Sequence, residues 1–433
     1  MPKRDDDKRQ ALVKYRCLFA GGIARDCNQR QFLFLSSFNI FFSHCVAQEV
    51  SEAASSTMVV MLVKRCRNQF SESDIPAKAF TKVTHLELSA LSVSMQQAIT
   101  LSRKPLRMLD MSHATNLRLG DVDFKQDDKA KGFERLLLSN TSLKELPESI
   151  GELKSLLTLD VASNSLGRLP KLLPSTLEGL YASDNQLTSL PAMMQSMKRL
   201  EVLDVTNNHN LQSLPALDGA SGRIRTVLAS CCRLTKKNSV PESLFHESTN
   251  LQTLNLRSSH LRQLPANLGS AKLLTGFLSL GHNQLTSLPP SIGHATKLTG
   301  LSLDFNQDLQ ELPQSLSSLT NVETFDCTFC SSLKRCQNCL PKSVNRLVVT
   351  QSQHFDVVDA LGDGHFENLE EMDASFTATT MRTRLPDSFK KMNRLKYLKL
   401  NACGGGPRLT ELSADVLEAL EGLQGLELQV CSV

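Results

Sequence analysis

Tryptophan is absent from this chain and tyrosine occurs only three times, yet 41% of the 433 residues are hydrophobic. That content can bury one large core or several smaller ones, and it excludes wholesale disorder. A basic excess is also missing from most of the molecule. The net charge is +4, with +5 on residues 1–82 and −1 on the rest, so the main body lacks the positive field a nucleic-acid surface needs. Cysteine is too sparse for a disulfide scaffold, at twelve residues or under 3% of the chain. One N-x-S/T sequon occurs, at Asn140. Together these two shortages point to a reducing, cytoplasmic setting.

Catalytic signatures are missing as well. The phosphate-cradling GxxxxGK(S/T), a GxGxxG after a strand, HExxH and GxSxG do not occur. Their absence removes the common nucleotide-dependent, zinc-protease and serine-hydrolase chemistries. The GGGP of 404–407 is a lone glycine run in a lengthened loop, a turn rather than a phosphate site. The ten histidines are scattered. No enzyme activity, catalytic residue or cofactor is expected.

What the chain does have is a repeat. The segments LLTLDVASNSLGRLP (156–170), LEGLYASDNQLTSLP (177–191) and LSLGHNQLTSLPPSI (278–292) share most of L-x-x-L-x-L-x-x-N-x-L-x-x-L-P. Counting the first apolar residue as position 1, rungs start at Val83, Leu106, Phe133, Leu156, Leu177, Leu200, Ile224, Leu251, Thr275, Leu298, Val322, Val344, Leu369, Leu395 and Leu423. The mean spacing is about 24 residues. Positions 4 and 6 of a short strand alternate inward, while 2, 3, 5, 7 and 8 face out. Position 9 wants a side chain that hydrogen-bonds loop backbone, and Asn164, Asn185, Asn208, Asn283 and Asn306 stand there.

This pattern resembles the leucine-rich repeat family in its LPxxhxxL variant. The resemblance covers 83–433 and implies an α/β solenoid of about fifteen repeats, a horseshoe whose parallel concave sheet is roughly 65–70 Å along its arc. Similar LPxxhxxL proteins include Ras-pathway scaffolds and plant intracellular Ras-group-related proteins, which implies a protein partner in signalling. Residues 173–191 are also similar to the repeats of bacterial ubiquitin ligases, whose catalytic domain would have no room here.

Residues 327–339 read CTFCSSLKRCQNC, two C-x-x-C pairs that by spacing alone could close around zinc. The repeat offers another account. Cys327 is position 6, Cys330 is position 9 and Cys336 falls where other rungs have the Leu of LP; only Cys339 has no such place. Cys232, Cys403 and Cys431 also occupy position 9. Plant immune-receptor repeats are similar, with C-x-x-L replacing N-x-L. Core packing is therefore expected, with a zinc module on Cys327, Cys330, Cys336 and Cys339 as the alternative.

Residues 1–57 do not follow the repeat, and 58–82 are expected to cap its first rung. The apolar run FLFLSSFNIFFSHCVA (32–47) reads as a buried extension, with a secretory h-region cleaved after Ala47 or a membrane anchor as alternatives. It is shorter than the ~20 residues a spanning helix needs. At the other end, 413–423 reads as a helix, and LQGLELQVCSV (423–433) as a rung with no polar capping repeat after it. Either that edge pairs with another molecule, allowing an oligomer, or the sequence is incomplete.

The outward positions then give the candidate site. Position 5 carries Glu87, Asp110, Asp160, Tyr181, Asp204, Asp326, Asp373 and Glu427, an acidic row broken by Lys399. Position 8 carries Phe305, Phe329 and Phe376, with Asp304, Glu370 and Glu371 beside them, and Tyr397 projects to the same side. Exposed aromatics are favoured at interface hot spots, and the carboxylates would steer a partner with a basic surface. The competing reading is that position-5 Asp belongs to the repeat itself and that the phenylalanines pack on one another.

Overall fold

The computed structural model describes residues 31–35, 59–63 and, with short breaks, 83–431. The main breaks are 89–93, 102–104, 362–365, 379–386 and 404–413. The signal or anchor reading of 32–47, beyond residue 35, and the GGGP turn lie outside the described residues.

Alternation of apolar and polar residues makes each rung open as a strand of three to five residues. Each of the fifteen rungs read from the repeat holds one, from Val83–Glu87 in rung 1 to Gly425–Glu427 in rung 15, in most rungs beginning at position 3. Each strand pairs in parallel with the next, position for position, as in Leu159 with Leu180 and Leu180 with Leu203. The sheet is open and follows chain order. Gln31–Leu35 and Val59–Val63 also join it, the second pairing with rung 1, so the sheet holds seventeen strands.

Behind the sheet, the LP step sets the return. Pro147, Pro191, Pro289 and Pro313 sit at φ near −65° in extended backbone, each leading into a short 3-10 helix. The apolar residue of each return, Ile150, Met194, Ile292 or Leu316, is fully buried. Returns stack backbone on backbone: a Cβ at Gly269 would collide with the Ser291 carbonyl oxygen. Among the described residues three returns carry α-helix instead, at Met95–Leu101, Val357–Leu361 and Ala414–Ala419. In rung 15 the inward residues Leu426 and Leu428 are 38% and 36% exposed, because no described strand covers them.

Two internal devices turn the chain out of each strand. At position 5, a carboxylate or amide accepts the position-7 amide: Ser112 to Asp110, Ala162 to Asp160, Thr206 to Asp204, Arg257 to Asn255, Thr328 to Asp326 and Ser375 to Asp373, all at 2.9–3.1 Å. At position 8 the backbone is left-handed in twelve consecutive rungs, 2 to 13, with φ from 53° at Asn140 to 63° at His113. Asn and Asp tolerate that region; a bulky residue does so only at a cost.

Position 9 then fills the space behind the corner. Asn208 Nδ2 donates to the Ala182 carbonyl of rung 5 at 2.9 Å and to Val205 at 2.8 Å, while its Oδ1 accepts from Leu187 N at 2.9 Å. Asn185, Asn283 and Asn306 repeat the pattern. These ladders satisfy buried backbone groups that no strand or helix uses.

Candidate protein-binding face

The acidic row resolves into three kinds of carboxylate. Asp110, Asp160, Asp204, Asp326 and Asp373 close the position-5 turns, so part of the row is a requirement of the repeat. Towards the C-terminal rungs the outward carboxylates are paired: Glu370 with Lys396 at 2.6 Å, Glu371 with Arg346 at 2.9 Å and Glu427 with Lys399 at 2.7 Å. Lys396 and Lys399 hold Glu370 and Glu427 below the ordinary carboxylate range. Asp160 behaves oppositely: burial first, and then the like charges of Asp110 and Asp204, raise its pKa against the Ala162 amide. No basic side chain is ion-paired with Asp160 or Asp204 among the described residues.

Asp304 departs from the sequence expectation. Position 7 should face out, but this carboxylate is buried, 6% exposed. Arg257 of rung 8 reaches across rung 9 and grips it with two hydrogen bonds, 2.7 and 2.8 Å. Ser302 Oγ also donates to it, and His282 Nε2 lies 3.5 Å away. The bridge passes over Gly281, where a Cβ would strike both partners. Burial would raise the Asp304 pKa, but hydrogen bonds from Arg257 and Ser302, with the Arg257 and His282 charges, outweigh it and hold it low. Asp304 is therefore satisfied internally and is not available to steer a partner.

The aromatic residues form a column rather than a scatter. His282 stacks on Phe305 with centroids 4.3 Å apart, and Phe305 on Phe329 at 4.9 Å. All three hold left-handed backbone, at φ 53°, 57° and 59°. Phe305 is 37% exposed. Phe376 shares the position-8 geometry at φ 58° but stands two rungs on, beyond Gln351, whose Oε1 is buried without a hydrogen-bond partner.

A third set was partly missed in the sequence. Phe277, at position 3 of rung 9, is 50% exposed and leans over Gly300, its register partner. Tyr397, 44% exposed, leans likewise over its partner Gly425, and its hydroxyl reaches Gln424 Oε1 at 3.2 Å. Tyr181 leans over Gly179 of its own strand, where an added Cβ would lie 3.0 Å from Cε2. Glycine facing an aromatic across a sheet was the available signal for Phe277.

The four clustered cysteines do not converge on a metal. Cys336 and Cys339 are joined as a disulfide, while Cys327 and Cys330 are buried free thiols. Cys330 Sγ points to the Leu303 carbonyl at 3.4 Å, the position-6 oxygen that Asn ladders use, as Cys232 does with Val205 at 3.4 Å. No group of three or more metal-ligating side chains occurs among the described residues. Burial pushes the Cys232 and Cys330 thiols up to about 12 and Cys327 well above its usual value. Iodoacetamide at pH 8 should accordingly leave Cys232, Cys327 and Cys330 unmodified in the native protein, read by peptide mass. Rapid labelling of Cys330 would contradict its place in the rung.

Comparison with known proteins supports the repeat reading. Residues 175–219 match the model described as Leucine Rich repeats (2 copies). Human podocan-like protein 1 is 30% identical over 220 residues, 50% of this chain and 42% of that protein. Rat lumican is 26% identical over 201 residues, covering 44% of this chain and 57% of that protein. The chain thus spans less than two thirds of these relatives. Among solved structures, a leucine-rich repeat protein of Leptospira interrogans aligns with TM-score 0.57 and 24% identity over 81% of this chain and 92% of that one. The Drosophila Toll–Spatzle complex aligns at 0.53 with 17% identity over 92% and 54%. The plant peptide hormone receptor RGFR1 with RGF2 aligns at 0.51 with 19% identity over 86% and 67%.

Proposed function

We propose that this leucine-rich repeat solenoid is a non-enzymatic scaffold that holds one protein partner against its concave strand face, in signalling and in the cytoplasm. The observation that carries the reading is the His282–Phe305–Phe329 column, bulky rings held at left-handed φ on the surface. Residues kept in costly conformations cluster where a surface has work to do, and aromatics lose least entropy on binding. Solved neighbours of this fold in complex with Spatzle or a peptide hormone support the class of partner. The LPxxhxxL returns keep the Ras-pathway scaffold and plant Ras-group-related proteins as the resembling types.

The test is affinity capture from native lysate with wild type beside a Phe305→Ala/Phe329→Ala/Phe376→Ala variant, after matching thermal midpoints. One protein enriched by wild type and at least tenfold depleted with the variant is the expected outcome. Equal recovery removes the aromatic column from the reading.

A second reading, an exported recognition protein, is favoured by the Cys336–Cys339 disulfide together with the 32–47 apolar run. Sequencing the mature N-terminus separates the two: a chain starting at Gln48 supports export, and an intact Met1 supports the cytoplasmic scaffold.

A further inference from the structure

Three consecutive rungs carry one residue more than the repeat requires. Rung 9 passes from Asn283 to the buried Leu285 in two steps. Rungs 10, 11 and 12 take three, from Asn306 to Leu309, Cys330 to Leu333 and Ser352 to Phe355. All six of these end residues are fully buried, so the extra residue is forced outward. Each segment closes as a β-turn: Leu309 N donates to the Asn306 carbonyl at 3.1 Å, Leu333 N to Cys330 at 3.0 Å and Phe355 N to Ser352 at 2.9 Å. The first two turns are stitched together. Ser332 N donates to the Gln307 carbonyl at 3.1 Å, and Lys334 N to the Gln310 carbonyl at 2.9 Å.

The stacked turns bound a cavity of about 690 Å³, lined by Gln310, Ser331, Ser332, Lys334 and His354. Every one of these side chains can donate a hydrogen bond. No carboxylate lines the cavity among the described residues, Asp308 of the first turn included. Ser331 Oγ makes one long hydrogen bond, to the Gln307 carbonyl at 3.5 Å. The Gln310 amide, the Ser332 hydroxyl, the Lys334 ammonium and the His354 ring have no partner among the described residues. The aromatic column stands on the other side of the same corner, because Phe329 and Ser331 flank the buried Cys330.

We propose that this cavity receives the phosphoryl group of a phosphorylated serine or threonine in the partner that docks on the column. Phosphate fits on three counts. It is an anion, and the lining offers a cation and no acid. Its three terminal oxygens accept several hydrogen bonds, which matches donors brought together from three rungs, whereas a carboxylate has two oxygens. Its side chain is short, so the residues flanking it stay close enough to meet the rings one corner away. The inference rests on the column being a protein-binding surface, and it assigns the chemistry of a contact beside it.

The full chain is titrated into N-acetyl-phosphoserine-amide and the phosphorus signal followed by NMR. The signal should shift along a saturating curve, and the fitted affinity should fall at least fivefold in Lys334→Gln. Lys297→Gln removes an equal charge just before the strand Leu298–Ser302, away from the cavity, and should leave the affinity unchanged. Both lysines are exposed, and matched thermal midpoints exclude a folding effect. No saturable shift, no loss in Lys334→Gln, or an equal loss in both variants overturns the pocket. Equal displacement of the probe by N-acetyl-aspartate-amide overturns the assignment to phosphoryl. Inorganic phosphate binding more tightly than the probe marks a site for the free ion and overturns the partner as its source. The titration needs no partner, so its failure is separate from failure of the capture experiment. A captured protein that is lost with the phenylalanine variant but survives phosphatase treatment of the lysate likewise rejects the phosphoryl contact and leaves the scaffold standing.

Discussion

Asn208→Ala is expected to destabilise the solenoid by roughly 2–3 kcal/mol. Asn208 is fully buried, and its amide serves the Ala182 and Val205 carbonyls and the Leu187 amide. Removing it strands the Leu187 amide where water does not reach, at about 1–3 kcal/mol, and leaves the Ala182 and Val205 carbonyls only the weaker donors Asn185 Nδ2 at 3.3 Å and the Cys232 thiol at 3.4 Å. The next rung supplies the comparison. Cys232 occupies the same position with a thiol directed at the Val205 carbonyl, so one of the contacts can be made without an amide. Asn208→Cys should therefore lose about half as much. Urea unfolding gives the midpoints, and hydrogen exchange at Leu187 reports the stranded donor locally. An unchanged midpoint with unchanged Leu187 protection would sink the ladder as a source of stability.

Arg257→Met should cost about 3 kcal/mol at pH 7 and far less in acid. Breaking a buried pair by removing one partner leaves an uncompensated charge, which costs about 3–5 kcal/mol, and the lower figure applies because Arg257 is 38% exposed. The sign with pH follows from Asp304, whose native pKa lies below its ordinary 3.8. A carboxylate so depressed contributes stability that is present above 3.8 and is lost as pH falls through the native value. In the Met variant burial is no longer outweighed by Arg257, so the acid becomes easier to protonate and the penalty disappears on acidification. Wild type and variant should thus converge at low pH. Parallel stability curves between pH 7 and pH 3 would show that Arg257 acts through packing alone.

The repeat made the architecture legible. Fifteen strands and the inward positions follow from the spacing of leucines, because a strand alternates with period two and each rung must bury the same face. The amide ladder was legible too, since asparagine at a fixed place inside an apolar period has few other uses. The left-handed corner was not. Its residues include Ser163, Cys231, Gln351 and three phenylalanines, and only Asn140, Asp184 and Asn207 announce the conformation by type. The burial of Asp304 was hidden for a different reason. Its partner lies 47 residues away, and the repeat assigns position 7 to solvent; only Gly281, between them at the same position, hints at a bridge. Phe277 escaped because it stands at position 3 and its glycine partner, Gly300, lies on the next rung, so the pair shows only when the strands are set in register. The sheet's continuation through Val59–Val63 and Gln31–Leu35 follows no leucine period at all.

The corner also sets two selective pressures against each other. A left-handed backbone favours glycine or asparagine, so replacing Phe305, Phe329 or Phe376 by either relieves a conformational cost at each site. A library of this chain sorted for heat resistance would enrich those replacements and bleach the column of its rings. The same library sorted for retention of a partner would drive the composition of position 8 the other way. Thermostabilised versions of this solenoid and recognition-competent ones are thus different populations of sequences, diverging at three positions that share one backbone torsion.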